Sequence, residues 1–120
     1  REFLRFWADD IRRFFPGFDL DDCRDPHIRL ILRNMIPVGV FVCVDGGGRV
    51  AEVKLDWVAP GWRDLKGARF VYSASHDRLR ERGFDTFAAT TDVPAHRRYL
   101  RKVGFRQDPD GPANRLVRPL

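Results

Sequence analysis

The chain has 120 residues, 43% of them apolar and ten of them phenylalanine, the size and content of one compact domain with a buried core. No run approaches the roughly 18 consecutive apolar residues of a membrane span. The two cysteines, Cys23 and Cys43, are too few for a disulfide framework and lack metal-ligand spacing, so no metal is expected. The formal net charge is +5, but acids interrupt the basic residues and no nucleic-acid-binding motif is present, so a nucleic-acid partner is not expected either. Arg1 is not a starting methionine, and the chain reads as a trimmed or excised segment. Cys43, inside V-G-V-F-V-C-V, reads as a buried thiol, and free thiols fit a reducing, cytoplasmic setting.

In chain order, Arg1–Phe15 predicts one amphipathic helix, with Phe3, Leu4, Trp7, Ile11, Phe14 and Phe15 near a 3.6-residue period. Pro16-Gly17 ends it. The acidic stretch Phe18–Pro26 predicts a loop or a short helix capped by an Asp. His27–Arg33 alternates and predicts a strand, with Ile28, Leu30 and Leu32 on one face. Asn34-Met35 turns the chain into a second strand, Ile36–Val44, where Gly39 marks a bulge. Asp45-Gly46-Gly47-Gly48 reads as a hairpin turn rather than a phosphate loop, because no helix follows it. Val50–Val58 is the third strand of an antiparallel meander. Its alternation sets Val53, Leu55 and Trp57 on one face, and Glu52, Lys54 and Asp56 on the other.

Pro60-Gly61 breaks that strand, a basic turn follows, and Ala68–Arg82 predicts a helix stopped by Gly83. A strand that feeds a helix N-terminus through a Gly/Arg/Lys turn makes an anion cradle, because free N–H groups and the positive end of the helix dipole converge there. Phe84–Thr91 predicts a fourth strand, parallel to the third across the helix. Pro94–Lys102 predicts a second helix, with Phe105–Gln107 and Asn114–Arg118 as closing strands. The fold class is α+β, and its ligand end is the carboxyl end of the parallel pair.

Val58-x-Pro60-x-Trp62-Arg63 followed by Gly67-Ala68 resembles an acetyl-CoA motif, V-x-P-x-Y-R-x-x-G-x-G/A. Tyr99-Leu100-Arg101-Lys102-Val103-Gly104-Phe105 resembles a closing motif, Y-x-K-x-G-F. At this separation, over His27–Arg118, the two resemble the GCN5-related N-acetyltransferase (GNAT) superfamily. The resemblance implies a single GNAT-like domain over residues 1–120, with a helical segment at 1–25 and an acyl-CoA-binding core at 26–120. It implies a mixed, mostly antiparallel sheet with one splayed parallel pair, flanked by helices. It implies acetyl-CoA or another acyl-CoA as cofactor and an amine acceptor that attacks the thioester directly. The pantetheine arm then bonds backbone near Trp57 and Val58. The pyrophosphate sits on Arg63, Asp64, Leu65, Lys66, Gly67, Ala68 and Arg69.

Direct transfer needs a base for the amine and an acid for the leaving thiolate. Glu52 matches the strand position of a catalytic glutamate in the histone-acetyltransferase branch, and Asp56 lies nearer the acyl site. Tyr99 is the candidate acid. The chain departs from the family pattern at three places. Lys66 replaces the first glycine of the cradle, and Leu100 rather than Tyr99 stands four residues before the closing glycine. A one-residue step turns a helical side chain by about 100°, which leaves Tyr99 either in the core or at the sulfur. Asp92 and His96 stand near the place of a frequent asparagine, and His96 reads as a surface histidine. Two outcomes stay open, an N-acyltransferase and a silent CoA-binding or interaction domain of a larger protein, and self-association into a homodimer is equally open.

Overall fold

The structure, a computed structural model, describes residues 1–63 and 65–120, with backbone only at residues 65–69 and 71. Asp64 lies outside the described residues. Two short helices, α1 (Glu2–Phe6) and α2 (Ala8–Phe14), replace the single predicted N-terminal helix. The break falls at Trp7, whose ring packs 5.2 Å from that of Trp57. A 3-10 turn at Leu20–Asp22 follows, and its entry is capped by the Asp19 carboxylate accepting from the Asp21 N–H. Then come β1 (His27–Arg33), β2 (Ile36–Asp45), β3 (Val50–Val58), α3 (Leu65–Glu81), β4 (Thr86–Thr90), α4 (Pro94–Lys102), β5 (Arg106–Gln107) and β6 (Arg115–Pro119). Helix α3 therefore opens three residues earlier than the breaker pattern suggests.

The six strands form one sheet in the order β1-β2-β3-β4-β6-β5. All neighbours are antiparallel except β3 and β4, which run parallel, as strand–helix–strand connectivity requires. Each face carries its own core. Tyr72 and Leu79 of α3, Leu100 of α4 and Val103 just after it pack with Phe41, Cys43, Ala51, Val53, Phe87 and Leu116 on one face. On the other, α1 and α2 bring Phe3, Leu4, Trp7, Ile11 and Phe14 onto Val40, Val42, Leu55 and Trp57. Cys43 is buried, as its apolar run implies.

The predicted β1 forms over His27–Arg33, and its Ile28, Leu30 and Leu32 stay half exposed, because the second core spreads over β2 and β3 and stops short of the edge strand. One expectation is corrected at β2. The bulge in β2 falls on Val38 rather than Gly39: Ile31 faces Gly39, and Leu32 already faces Pro37. Gly39 remains paired on both sides. A Cβ there would lie 2.7 Å from Ile31 Cδ1 and 2.9 Å from the Trp57 carbonyl oxygen, so only glycine lets the strands close. Among the described residues, no helix is long and apolar enough to cross a membrane.

Candidate active site

The site grows from an irregularity in β3. Cys43 of β2 pairs with Val53 and Val42 with Leu55, so Lys54 is an extra, exposed residue. One extra residue bends a strand and reverses its alternation beyond that point. Ala51 and Val53 lie in the α3/α4 core, whereas Leu55 and Trp57 lie in the α1/α2 core. Asp56 and Val58 therefore turn toward α3 and α4. The predicted common face for Glu52 and Asp56 does not form, and the two carboxylates end on opposite sides of the sheet.

The same bend separates β3 from β4. Their ladder runs from Val50↔Thr86 to Glu52↔Ala88 and stops. Beyond it, a cavity of about 350 Å³ opens beside β3, walled by Phe14, Phe15, Trp57, Val58, His96 and Tyr99. The Ala59 N–H donates to the Val38 carbonyl at 2.7 Å, and backbone groups alternate along a strand. Val58 thus directs its own N–H and carbonyl away from β2 and into the gap.

Asp56 is the most enclosed charged group here, with 1% of its side chain exposed. Its Oδ2 accepts the Tyr72 hydroxyl at 2.6 Å, and its Oδ1 lies 2.8 Å from His96 Nε2. His96 is buried, not on the surface, with Phe15 edge-on at 4.6 Å and the Tyr99 ring stacked at 6.0 Å. Its second nitrogen, Nδ1, is buried and finds no hydrogen-bond partner among the described residues. Burial pushes the Tyr72 phenol well above its ordinary range, and the Asp56 charge adds to this. Burial does the same to Tyr99, again with help from Asp56. Both phenols are hydroxyl donors at neutral pH.

Tyr99 lines the cavity, while Leu100 is fully buried in the α3/α4 core. The tyrosine side chain reaches the gap even though its spacing to Gly104 is one residue longer than the family's. Glu52 lies across the sheet, where Arg115 grips both its oxygens at 3.1 and 3.0 Å. Arg63 points back into the molecule. Its Nε donates to the Val58 carbonyl at 2.6 Å, its guanidinium pairs with the Asp10 carboxylate, and it lies over the rings of Phe14 and Trp57. The Trp57 indole N–H donates to the same carboxylate at 2.7 Å. Burial raises the Asp10 pKa, but these hydrogen bonds outweigh it and hold the group below the ordinary aspartate value. The backbone of Leu65, Lys66, Gly67, Ala68 and Arg69 forms the first turn of α3. The side chains called at these positions lie outside the described residues.

Two residues of this arrangement, Tyr72 and His96, are absent from the sequence-derived set. His96 and Tyr99 stand three apart on α4, a spacing that brings side chains to neighbouring places on a helix. That is the one local signal for His96, and Tyr72 has none.

No family model matches the chain, and no curated protein matches it. Solved structures do. GCN5 of Tetrahymena is similar over 98% of this chain and 86% of its own, with a TM-score of 0.75 and 14% identity. A GNAT family acetyltransferase of Elizabethkingia anophelis with acetyl-CoA bound is similar over 92% and 88%, with a TM-score of 0.70 and 16% identity. A Bacillus subtilis acetyltransferase in complex with CoA is similar over 93% and 92%, with a TM-score of 0.65 and 14% identity. The chain has the GNAT fold: a mixed, mostly antiparallel sheet with one parallel pair, flanked by helices.

Proposed function

We propose that this chain, built on the GNAT fold, binds an acyl-CoA in the gap between β3 and β4 and transfers the acyl group to an amine. The observation that carries the reading is the parting of the two strands after Glu52↔Ala88, with a cavity at the point of parting and Val58 facing it. An extended pantetheine arm suits such a gap, because its amides can take the place of a missing strand. In this reading the backbone of Trp57 and Val58 holds the arm. The first turn of α3, Leu65 to Arg69, offers N–H groups and dipole to the diphosphate, with Arg63 shortly before it. Tyr99, held as a neutral phenol, is suited to protonate the leaving sulfur. Asp56 stands behind the cavity wall as the fixed charge of the site. Glu52, gripped by Arg115 on the far face, holds β3 to β6 across β4 and is not assigned the base.

The transfer balances simply. The amine nitrogen bonds to the acyl carbon as the carbon–sulfur bond breaks. Of the two protons that the ammonium group loses, one ends on the thiol and the other on a base of the protein.

Titration calorimetry with acetyl-CoA tests the binding, and thiol release with tryptamine, spermidine, an amino acid ester and a lysine peptide tests the transfer. Heat of binding together with turnover of at least one amine is the expected result. The absence of any heat at high protein concentration overturns the reading. Replacing Tyr99 by Phe should leave binding unchanged and lower turnover about a hundredfold, the low end for loss of a general acid. A second reading, a domain that binds CoA without turnover, is favoured by Glu52, the carboxylate expected as base, which Arg115 holds at both oxygens on the far face. Binding without thiol release from any of the amines selects it.

A further inference from the structure

We infer that His96 is the base that takes the amine proton, through Nδ1, with Asp56 and Tyr72 as the positioning residues that aim it; the inference rests on the acyl-transfer reading. Three other groups could take the proton, and each is committed elsewhere. Both oxygens of Asp56 are engaged, one by the Tyr72 hydroxyl and one by the His96 ring. Glu52 is held at both oxygens by Arg115 on the opposite face. Tyr99 is a protonated phenol. Among the described residues, His96 Nδ1 is the one buried side-chain nitrogen or oxygen without a hydrogen-bond partner. A native fold does not leave such an atom idle without a reason, because an unpaired buried polar group costs about 1–3 kcal/mol. The ring that carries it lines the cavity.

The direction of the pair follows from its far end. The Tyr72 hydroxyl donates to Oδ2, so Asp56 is an acceptor there. As a carboxylate it accepts at Oδ1 as well, which places a hydrogen on His96 Nε2 and leaves the lone pair on Nδ1. An acid that fixes the tautomer of a histidine, and stabilises it once charged, is the logic of a hydrolase triad carried onto another fold. The amine proton moves to Nδ1 as the new carbon–nitrogen bond forms, and the charged ring then lies against the Asp56 carboxylate. Phe15, edge-on, and Tyr99, stacked, pack against the ring that takes the proton.

Two measurements test the inference. Nitrogen-15 spectra of histidine-labelled protein, which need no substrate, should find His96 protonated at Nε2 and bare at Nδ1, and the Asp56→Asn variant should lose that preference. A hydrogen on Nδ1 in the unmodified protein overturns the assignment. In the assay, His96→Gln keeps a donor for Asp56 but has no basic nitrogen. It should bind acetyl-CoA as the parent does and turn over about a hundredfold to ten-thousandfold more slowly. His96→Gly should regain turnover when imidazole is added, faster with more basic imidazoles, which a purely structural histidine would not do. A His96→Gln variant that keeps the parent's rate, or a folded His96→Gly variant that imidazole leaves silent, overturns the base while acyl transfer stands. A parent protein that neither binds acetyl-CoA nor releases thiol overturns both.

Discussion

The two halves of β3 are one strand in sequence and two different environments in space. In the first half, Ala51 and Glu52 pair on both sides, with β2 and with β4. Glu52 there meets Arg115 in a bidentate pair of the kind that fastens a sheet. In the second half, Leu55–Val58 keeps β2 but has lost β4. Asp56 there is sealed beneath Tyr72 and His96, and Arg63 takes the place of a strand partner at Val58. Four residues separate the two carboxylates, and one extra residue, Lys54, separates their fates. A strand with a neighbour on each side is architecture. The same strand without one has spare backbone groups, a cavity and room for chemistry.

Deletion of Lys54 should erase the comparison most directly. Val53 and Leu55 keep their partners Cys43 and Val42, so Asp56 and Trp57 stay on their faces, but β3 loses the bend that parts it from β4. The expected outcome is a protein that still folds, by circular dichroism, and no longer binds acetyl-CoA. A deletion variant that binds acetyl-CoA as the parent does would mean that the bulge does not set the site. Asp56→Ala comes next. It leaves a buried phenol and a buried imidazole without their shared partner and should cost about 3–5 kcal/mol, the scale for breaking one side of a buried pair, as read by urea unfolding. Glu52→Gln should cost about 1 kcal/mol or less in the same experiment, because Arg115 still reaches water and Asp108. Equal losses at the two positions would collapse the contrast between them.

The smallest effect is one of pH, at the far end of the splayed half. Asp10 ties α2 to Trp57 and Arg63, and its pKa is lowered in the fold. Its contribution is therefore complete above the ordinary aspartate value of about 3.9. It is lost as the pH falls below that value and through the lower folded one. Fluorescence of Trp7 and Trp57 should report α1 and α2 loosening on acidification. Asp10→Asn should be looser at neutral pH and show no further acid step.

Much of the fold is legible in the chain itself. Alternation in β1, β2 and β3, the glycines after α3 and α4, and Pro94 at the start of α4 are local signals. They act within one turn or one strand, so their reach matches what a sequence displays. The N-terminal helix was misjudged at Trp7, where packing against Trp57 interrupts a good helical period. The candidate site was legible in part. Asp56, Tyr99, Trp57 and Val58 do line or back one cavity. The expectation that Glu52 joins them failed because periodicity carries no mark of a bulge, whose position is decided by pairing with β2. His96 was read as a surface residue because a helical histidine among arginines looks solvated. Its partner lies 40 positions earlier, across the gap.

The amino-acid order by itself determined which segments are strands and helices, that one strand–helix–strand unit makes a parallel pair, and that a basic turn leads from β3 toward α3. Those are consequences of local sterics and of where apolar side chains recur. Only the tertiary structure decided which face Asp56 occupies, that Tyr72 and His96 close over it, and that Arg63 turns inward to Val58 and Asp10. Each depends on register between strands or on contacts between distant segments.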